Sequence, residues 1–340
     1  MKKRIIPIFI PELGCPFRCI YCNQFKITNT TSELSFSSIY EQIKKGISLN
    51  SNNKLEVAFY GGNFTAIDKR IQFELLKIAQ SFYEVESIRI STRPDYINES
   101  ILTFLKENNV KTIELGIQSM CEDVLLACKR GHSVYDSIKA MELINQFGFL
   151  LGVQIMIGLP NSSFEKDIYT SYEVMKFRPQ FARIYPTLVI KDTYLEKMYL
   201  EGRYKPLSLE EAIALSSTIK EAFLSNNINV IRVGLQASES INLNKEVIAG
   251  PFHPSFGELV DSEIIFKKIR ESLAQLKDSL LILEVNPKIL SKVIGIRKIN
   301  KKRIENEFQC SLEIKVNEQI NDEIIILYYN GQKMMLYLKL

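Results

Sequence analysis

Histidine is almost missing from this chain: its 340 residues include only His132 and His253. That excludes a metal site built on clustered imidazoles and leaves a mixed site at most two rings to draw on. No apolar run is long enough to span a bilayer. The opening MKKRIIPIFIPE sets two lysines and an arginine ahead of an apolar stretch, as a secretory leader would. Pro11 and Glu12 interrupt it, however, and no small-residue cleavage site follows. Arg4 to Ile10 therefore reads as a buried strand, and the chain as cytoplasmic with no membrane contact. The charge excess is slight, 43 basic against 39 acidic side chains for a net +4, and does not by itself mark a partner. Cysteine is scarce too, six in all, which rules out the dense disulfide framework of a small secreted protein.

What is present is a succession of short strand-like runs and longer helical patterns. RIIPIFI (4–10), KLEVAFYGG (54–62), SIRISTRP (87–94), TIELGIQS (112–119), FLLGVQIMIGLP (149–160) and FARIYPTLVI (181–190) read as strands. Six β-α repeats in a row predict a parallel sheet. The first strand ends at cysteines, the second at Gly61-Gly62-Asn63, the third at Ser91-Thr92-Arg93-Pro94-Asp95. The fourth ends at Gln118-Ser119 and the fifth at Gly158-Leu159-Pro160. Chemistry spread over several strand ends marks a barrel, whereas a doubly wound sheet concentrates it at one switch point. The expected fold is α/β: a partial (β/α)6 TIM-like barrel with a small α+β C-terminal domain. The expected divisions are residues 1–235 for the barrel and its extension, 236–279 for a connecting loop and helix, and 280–340 for the small domain.

Period-2 alternation puts Arg89, Ser91 and Arg93 on one strand face, as it does Glu114, Gly116 and Gln118, and Arg183, Tyr185 and Thr187. The polar faces look into the barrel. A polar ligand there is expected, the alternative being a self-satisfied network of buried polar groups.

Cys15, Cys19 and Cys22 stand in GCPFRCIYCNQ with the spacing C-x3-C-x2-C. Structural zinc takes four ligands, so zinc would need His132 or His253 as well. An iron–sulfur cube held by three thiolates leaves one iron open. Cys121, Cys128 and Cys310 form no second motif and read as small buried residues, so one cluster is expected.

C-x3-C-x-aromatic-C directly after the first strand of a β/α barrel resembles the radical SAM superfamily. The resemblance implies one [4Fe–4S] cluster on Cys15, Cys19 and Cys22, with S-adenosylmethionine (SAM) on its open iron. It implies reductive cleavage of SAM to a 5′-deoxyadenosyl radical that takes a hydrogen atom from substrate, and an external electron donor of flavodoxin or ferredoxin type. It places Tyr21 beside the adenine. The carbonyls of Gly61-Gly62-Asn63 would face the methionine amino group, with Asn63 where the family commonly has Glu. Ser91 and Arg93 would contact ribose and carboxylate, Gln118 would help hold the ribose, and Met156, Gly158 and Leu159 would line the adenine. GGNFT, STRPDYI, IELGIQS, KRGHSVYD, GVQIMIGLP and RIYPTLVI are similar to the radical SAM half of the Elongator catalytic subunit, over roughly residues 5–235. That subunit has a longer first cysteine spacing and a C-terminal acetyltransferase domain that has no counterpart here. The likeness implies a shorter bacterial-type relative and an RNA substrate, tRNA being the class it names. A small metabolite, as in the oxygen-independent coproporphyrinogen oxidases, is the rival substrate. An RNA-binding protein with a structural metal is the rival outside enzymes.

The tail reads as strand, helix, Ile-Gly turn, helix, strand over 281–316 and resembles a KH module, which clamps a nucleic-acid backbone with a G-x-x-G loop. Gly295 occupies the first glycine position and Lys298 the second. Lys288, Lys292, Arg297, Lys298, Lys301, Lys302 and Arg303 form a run with no acidic residue. Such a stripe is either a phosphate-binding surface or a solvated helix face.

Overall fold

The computed structural model describes residues 4–10, 15, 19–23, 26, 34–50, 54–235, 242–243, 245–273 and 280–340. Six strands follow the expected order: β1 Arg4–Phe9, β2 Leu55–Tyr60, β3 Val85–Thr92, β4 Val110–Gln118, β5 Leu150–Ile157 and β6 Phe181–Pro186. Each pairs in parallel with the next. β7 Val189–Ile190 lies outside this sheet and pairs antiparallel with β9 Val247–Ala249, and β8 Asn229–Val233 joins the sheet in parallel beside β6. The expected six strands thus become seven, curled into an open half-barrel with β1 and β8 as its edges. The reason is packing: Val230 and Val233 add to the apolar layer under the helices, a tertiary contact that short-range periodicity does not reveal.

The helices are α1 Phe36–Ser48, α2 Lys69–Gln80, α3 Glu99–Glu107, α4 Glu122–Ala127, α5 Val134–Gln146, α6 Phe164–Met175, α7 Tyr194–Leu200, α8 Leu209–Ser225 and α9 Phe256–Ser272. Most start on a side-chain cap: Ser35, Asp68, Asn98, Ser133, Ser163, Thr193 and Ser208 each accept a first-turn N–H. Ser133 with Asp136, and Ser208 with Glu211, form reciprocal capping boxes. The strands turn Val57, Phe59, Ile88, Ile90, Ile113, Leu115, Val153 and Ile155 outward beneath these helices, all fully buried or nearly so. Among the described residues no helix is long and apolar enough to cross a membrane.

The inward faces carry a finding that corrects one expectation. Arg89 donates to Glu56 and to Glu114 at 2.8 Å, and Arg183 Nε donates to Glu114 at 2.7 Å. The Tyr60 hydroxyl donates to Glu114 and accepts from Arg183. Ser87 and Thr112 donate to Glu56. Burial pushes the Glu114 carboxyl up, but Arg183 and Arg89 outweigh it and hold it below the ordinary carboxylate value. The polar residues at this level are therefore partners for one another, and only the level above them, at the strand C-termini, is left for a ligand.

The C-terminal unit is β10 Leu280–Val285, α10 Leu290–Ile294, α11 Ile299–Phe308, β11 Ser311–Val316, β12 Ile324–Tyr329 and β13 Gln332–Tyr337, with sheet order β11-β10-β12-β13. β10 and β11 are parallel. The last two strands form a hairpin turning on Asn330-Gly331, both at positive φ (50° and 69°). α9 begins at Phe256, two residues after Pro254, and serves both units. Phe256, Val260 and Ile264 pack into the barrel core, and Ile265, Phe266 and Ile269 into the C-terminal core.

Candidate active site

The cysteine loop is held from behind. The Ile20 N–H donates to the Cys128 carbonyl at 3.2 Å, and the Leu195 N–H donates to the Ile20 carbonyl at 2.8 Å. The Ile20 side chain is buried with Val124, Cys128, Leu159, Leu195 and Tyr204. At the far end Lys26 pairs with Asp192 at 2.7 Å and with Glu246. The Cys22 N–H turns back onto the Cys19 carbonyl at 3.0 Å. Cys19 is buried, and Cys15 and Cys22 are half-buried. Among the described residues no three His, Cys, Asp or Glu side chains converge as ligands of a single ion. A cube has no such need, because each thiolate meets a different corner.

Arg130 reaches this loop from the turn after α4. Its Nη1 donates to Cys19 Sγ at 3.3 Å and its Nη2 to the Gly116 carbonyl at 2.7 Å. Glycine at 116 makes the path: a Cβ there would stand 2.9 Å from Arg130 Nη2. Arg93 supports Arg130 in turn. Its Nη2 donates to the Arg130 carbonyl at 2.7 Å, while Nε and Nη2 grip Asp95 at 2.9 Å each.

The other strand-end residues lie around this core. Gly61 has φ +100°, and a Cβ on it would sit 2.3 Å from the Ile10 carbonyl oxygen, so the end of β2 and the residue after β1 touch backbone to backbone. Gly62 also has positive φ. Asn63 is buried, and its Oδ1 accepts from Thr92 Oγ1 at 2.6 Å and from Thr65 Oγ1 at 3.3 Å. Ser91 is half-buried. Gln118 closes β4 in the left-handed region (φ 69°) where the register with β5 shifts, and its Oε1 accepts from Gln154 at 3.3 Å. Met156 packs against the apolar group behind the cysteine loop, as do Tyr21 and Leu159. Gly158 is clamped on both sides: its N–H donates to Asp167 at 2.8 Å and its carbonyl accepts from the Tyr204 hydroxyl at 2.7 Å. Burial pushes the Asp167 carboxyl up to about 6 against the hydrogen bonds from Ser162 and Gly158.

Several buried polar atoms in this region make no hydrogen bond: Tyr21 Oη, Asn63 Nδ2 and Arg130 Nε. Burial, with repulsion from Arg130 and Arg93, holds the His132 imidazole down to about 3, so it is neutral at physiological pH. Orphaned buried groups are costly. Their gathering beside three cysteines suits a polar ligand and a thiolate-bound group.

Other expected residues lie elsewhere. His253 accepts from the Ser255 N–H beside α9. Cys310 is in the C-terminal core, and Cys128 packs directly behind the cysteine loop, where burial pushes its thiol up to about 12. Of the basic stripe, Lys292 pairs with Asp261, Arg303 with Glu263, Lys301 with Glu305 and Lys288 with Asp322. Arg297, Lys298 and Lys302 are exposed, and the first two occupy consecutive left-handed positions. Sequence reading missed Arg130, Gln154, Asp167 and Tyr204. Arg130 stands in the noted KRGH string, but its partner Cys19 is 111 positions away.

Residues 10–170 match the Radical SAM superfamily and residues 179–265 the Radical_SAM C-terminal domain. A tRNA uridine(34) acetyltransferase of Methanocaldococcus jannaschii is 35% identical over 191 residues, 49% of this chain and 35% of that protein. The uncharacterized protein MJ0486 of the same organism is 32% identical over 254 residues, 73% of this chain and 76% of that one. The solved structure of archaeal Methanocaldococcus infernus Elp3 lacking residues 1–46 superposes with a TM-score of 0.61 at 25% identity, covering 79% of this chain and 62% of that one. The chain spans only about a third of the length of the first of these relatives. A half-barrel with its cysteine loop after β1, matched along most of its length by these two families, belongs to the radical SAM superfamily of enzymes.

Proposed function

We propose that the chain binds one [4Fe–4S] cluster through Cys15, Cys19 and Cys22 and uses it to cleave SAM in the modification of an RNA, tRNA being the favoured class. The observation that carries the reading is the set of unsatisfied buried atoms on Tyr21, Asn63 and Arg130 at the strand ends around the three-cysteine loop. When bound, the cluster supplies an electron to SAM and so a 5′-deoxyadenosyl radical for hydrogen abstraction. Gly61, Gly62 and Asn63 present backbone and amide to the methionine moiety, and the two glycines allow the close approach. Gln118, held by Gln154, and Ser91 offer polar contacts to the ribose. Met156, Gly158 and Leu159 line the adenine side by side with Tyr21, and the Asp167–Tyr204 clamp keeps that segment from moving. Arg93 orients Arg130. The apolar seal formed by Ile20, Val124, Leu159 and Leu195 keeps water from the back of the loop.

The tRNA assignment is supported by the likeness to the tRNA uridine(34) acetyltransferases; the chemistry requires a one-electron donor, for which a flavodoxin or ferredoxin is the proposed type. Arg297, Lys298 and Lys302 are the residues of the basic stripe left to meet a phosphate backbone.

The test is anaerobic. Protein reconstituted with iron and sulfide, reduced with dithionite and given SAM should form 5′-deoxyadenosine, and Cys19→Ala should form none and hold less iron. Equal iron in wild type and Cys19→Ala would overturn the ligand assignment. An intact cluster that neither cleaves SAM nor changes its EPR signal on SAM addition would overturn the enzyme reading.

A further inference from the structure

The inward faces of the half-barrel hold one cation more than they neutralise. Arg89 pairs with Glu56 and Glu114, and Arg183 pairs with Glu114. Among the described residues the inward strand positions carry no other acidic group. A further guanidinium, that of Arg232, stands in register with Arg183 on β8, while Val230 and Val233 pack outward under the helices. It is half-buried and makes no hydrogen bond or ion pair with any described residue. Three guanidinium groups against two carboxylates leave one positive charge, beside a like charge on the neighbouring strand. Arg232 also lines a cavity of about 400 Å³ along the free edge of β8, with Ile231, Gly234, Ser255, Gly257 and Glu258. Glycine at 234 and 257 lets the two walls close up: a Cβ would stand 2.9 Å from the Phe256 ring and 3.3 Å from the Val233 carbonyl oxygen. Glu258 forms no ion pair with Arg232, so it does not supply the missing anion. β8 runs parallel to β6, so its end, and the cavity beside it, lie on the same rim as the cysteine loop after β1.

We propose that Arg232 binds a phosphate of the RNA substrate at the β8 side of the barrel mouth. The inference rests on the RNA reading above and adds a substrate contact to it. A phosphodiester supplies the anion that the inward faces lack, and the fork of a guanidinium matches its two free oxygens. The carboxylate of SAM is not the anion in question, because its expected contacts, Ser91 and Arg93, lie at the end of β3, four strands away in the sheet. Arg232 also differs in place from Arg297, Lys298 and Lys302. Those belong to the C-terminal unit, whereas Arg232 stands on the rim where the reacting nucleotide must enter. Its lack of an internal partner has a second consequence. The fold gains nothing from this cation, so removing it takes away a repulsion and breaks no bond.

The experiment is a filter-binding titration of tRNA over a range of salt, with wild type, Arg232→Gln, Arg232→Lys and a control, Arg178→Gln. The control removes an exposed cation from the turn before β6, at the opposite end of the sheet. Arg232→Gln should weaken tRNA binding about tenfold and flatten the log–log salt slope by about 1. Arg232→Lys keeps the charge without the fork, so it should keep the slope and bind with intermediate affinity. Arg178→Gln should match wild type. In urea unfolding Arg232→Gln should be at least as stable as wild type. A clear fall in its midpoint, or failure to fold, would reveal an internal partner and overturn the proposal. Wild-type affinity and slope in Arg232→Gln would overturn it and leave the RNA reading standing. An equal loss in Arg178→Gln would do the same, since net charge alone would then account for the effect. No tRNA binding by wild type would remove the RNA reading, and the proposal with it.

Discussion

The Asp167 carboxylate accepts the Gly158 N–H at 2.8 Å, from the first turn of α6 to the residue after β5. The contact fixes the left-handed turn at Gly158 (φ +69°) and, through it, the segment leading to Leu159. Burial raises this carboxyl to about 6, above the ordinary aspartate value of about 3.9. The folded state therefore holds its proton more tightly than the unfolded state between those values. Stability linked to Asp167 is present below about pH 4 and is lost as pH rises to about 6. Asp167→Asn should remove this step. The stability difference between wild type and variant should fall by roughly 3 kcal/mol from pH 4 to pH 7 in urea unfolding. A pH-independent difference would show that the carboxyl is not held protonated.

Glu114 joins Arg89, Arg183 and Tyr60 below the site. Removing its charge leaves two buried guanidinium groups short of an anion. Glu114→Gln should cost about 3–5 kcal/mol of stability. A drop in the urea midpoint without a change in the transition slope would register it as lost native stability. A change under about 1 kcal/mol would mean that water or Glu56 takes over.

At Gly61 a methyl group meets the Ile10 carbonyl oxygen at 2.3 Å, and φ is +100°. Gly202 also has positive φ (+70°), but a Cβ there meets nothing within 4 Å. Gly61→Ala should therefore cost clearly more than Gly202→Ala, and more than about 1 kcal/mol in itself. It should also weaken SAM binding in an equilibrium titration, which Gly202→Ala should leave unchanged. Equal costs would place the strain at Gly61 in φ alone.

Arg297, Lys298 and Lys302 differ from the other four basic residues of the 288–303 stripe in having no acidic partner among the described residues. Neutralising these three should weaken tRNA binding and flatten its log–log salt slope by about 2. Unchanged affinity in a filter-binding titration would remove the tail from the RNA surface.

Much of this architecture was written in short-range pattern. Six strands, their order and the residues at their ends follow from period-2 alternation interrupted by glycine, proline and polar groups, and those signals lie within a few positions of one another. The three-cysteine loop is equally local, since its spacing is a property of eight consecutive residues. The Asn330-Gly331 turn is a signal of the same local kind, two residues between two apolar runs.

What the tertiary structure decided is who meets whom. Alternation put Arg89, Glu114 and Arg183 on inward faces, but inter-strand register makes them one another's partners, because parallel strands bring residues 25 and 69 positions apart into contact. The seventh strand depended on β8 finding β6 across two helices. The basic stripe looked uniform until Asp261, Glu263, Glu305 and Asp322 closed on four of its members. Arg130 gave no local sign of its partner, for the fold brings it to the Cys19 sulfur across 111 residues, which its neighbours in the chain do not encode.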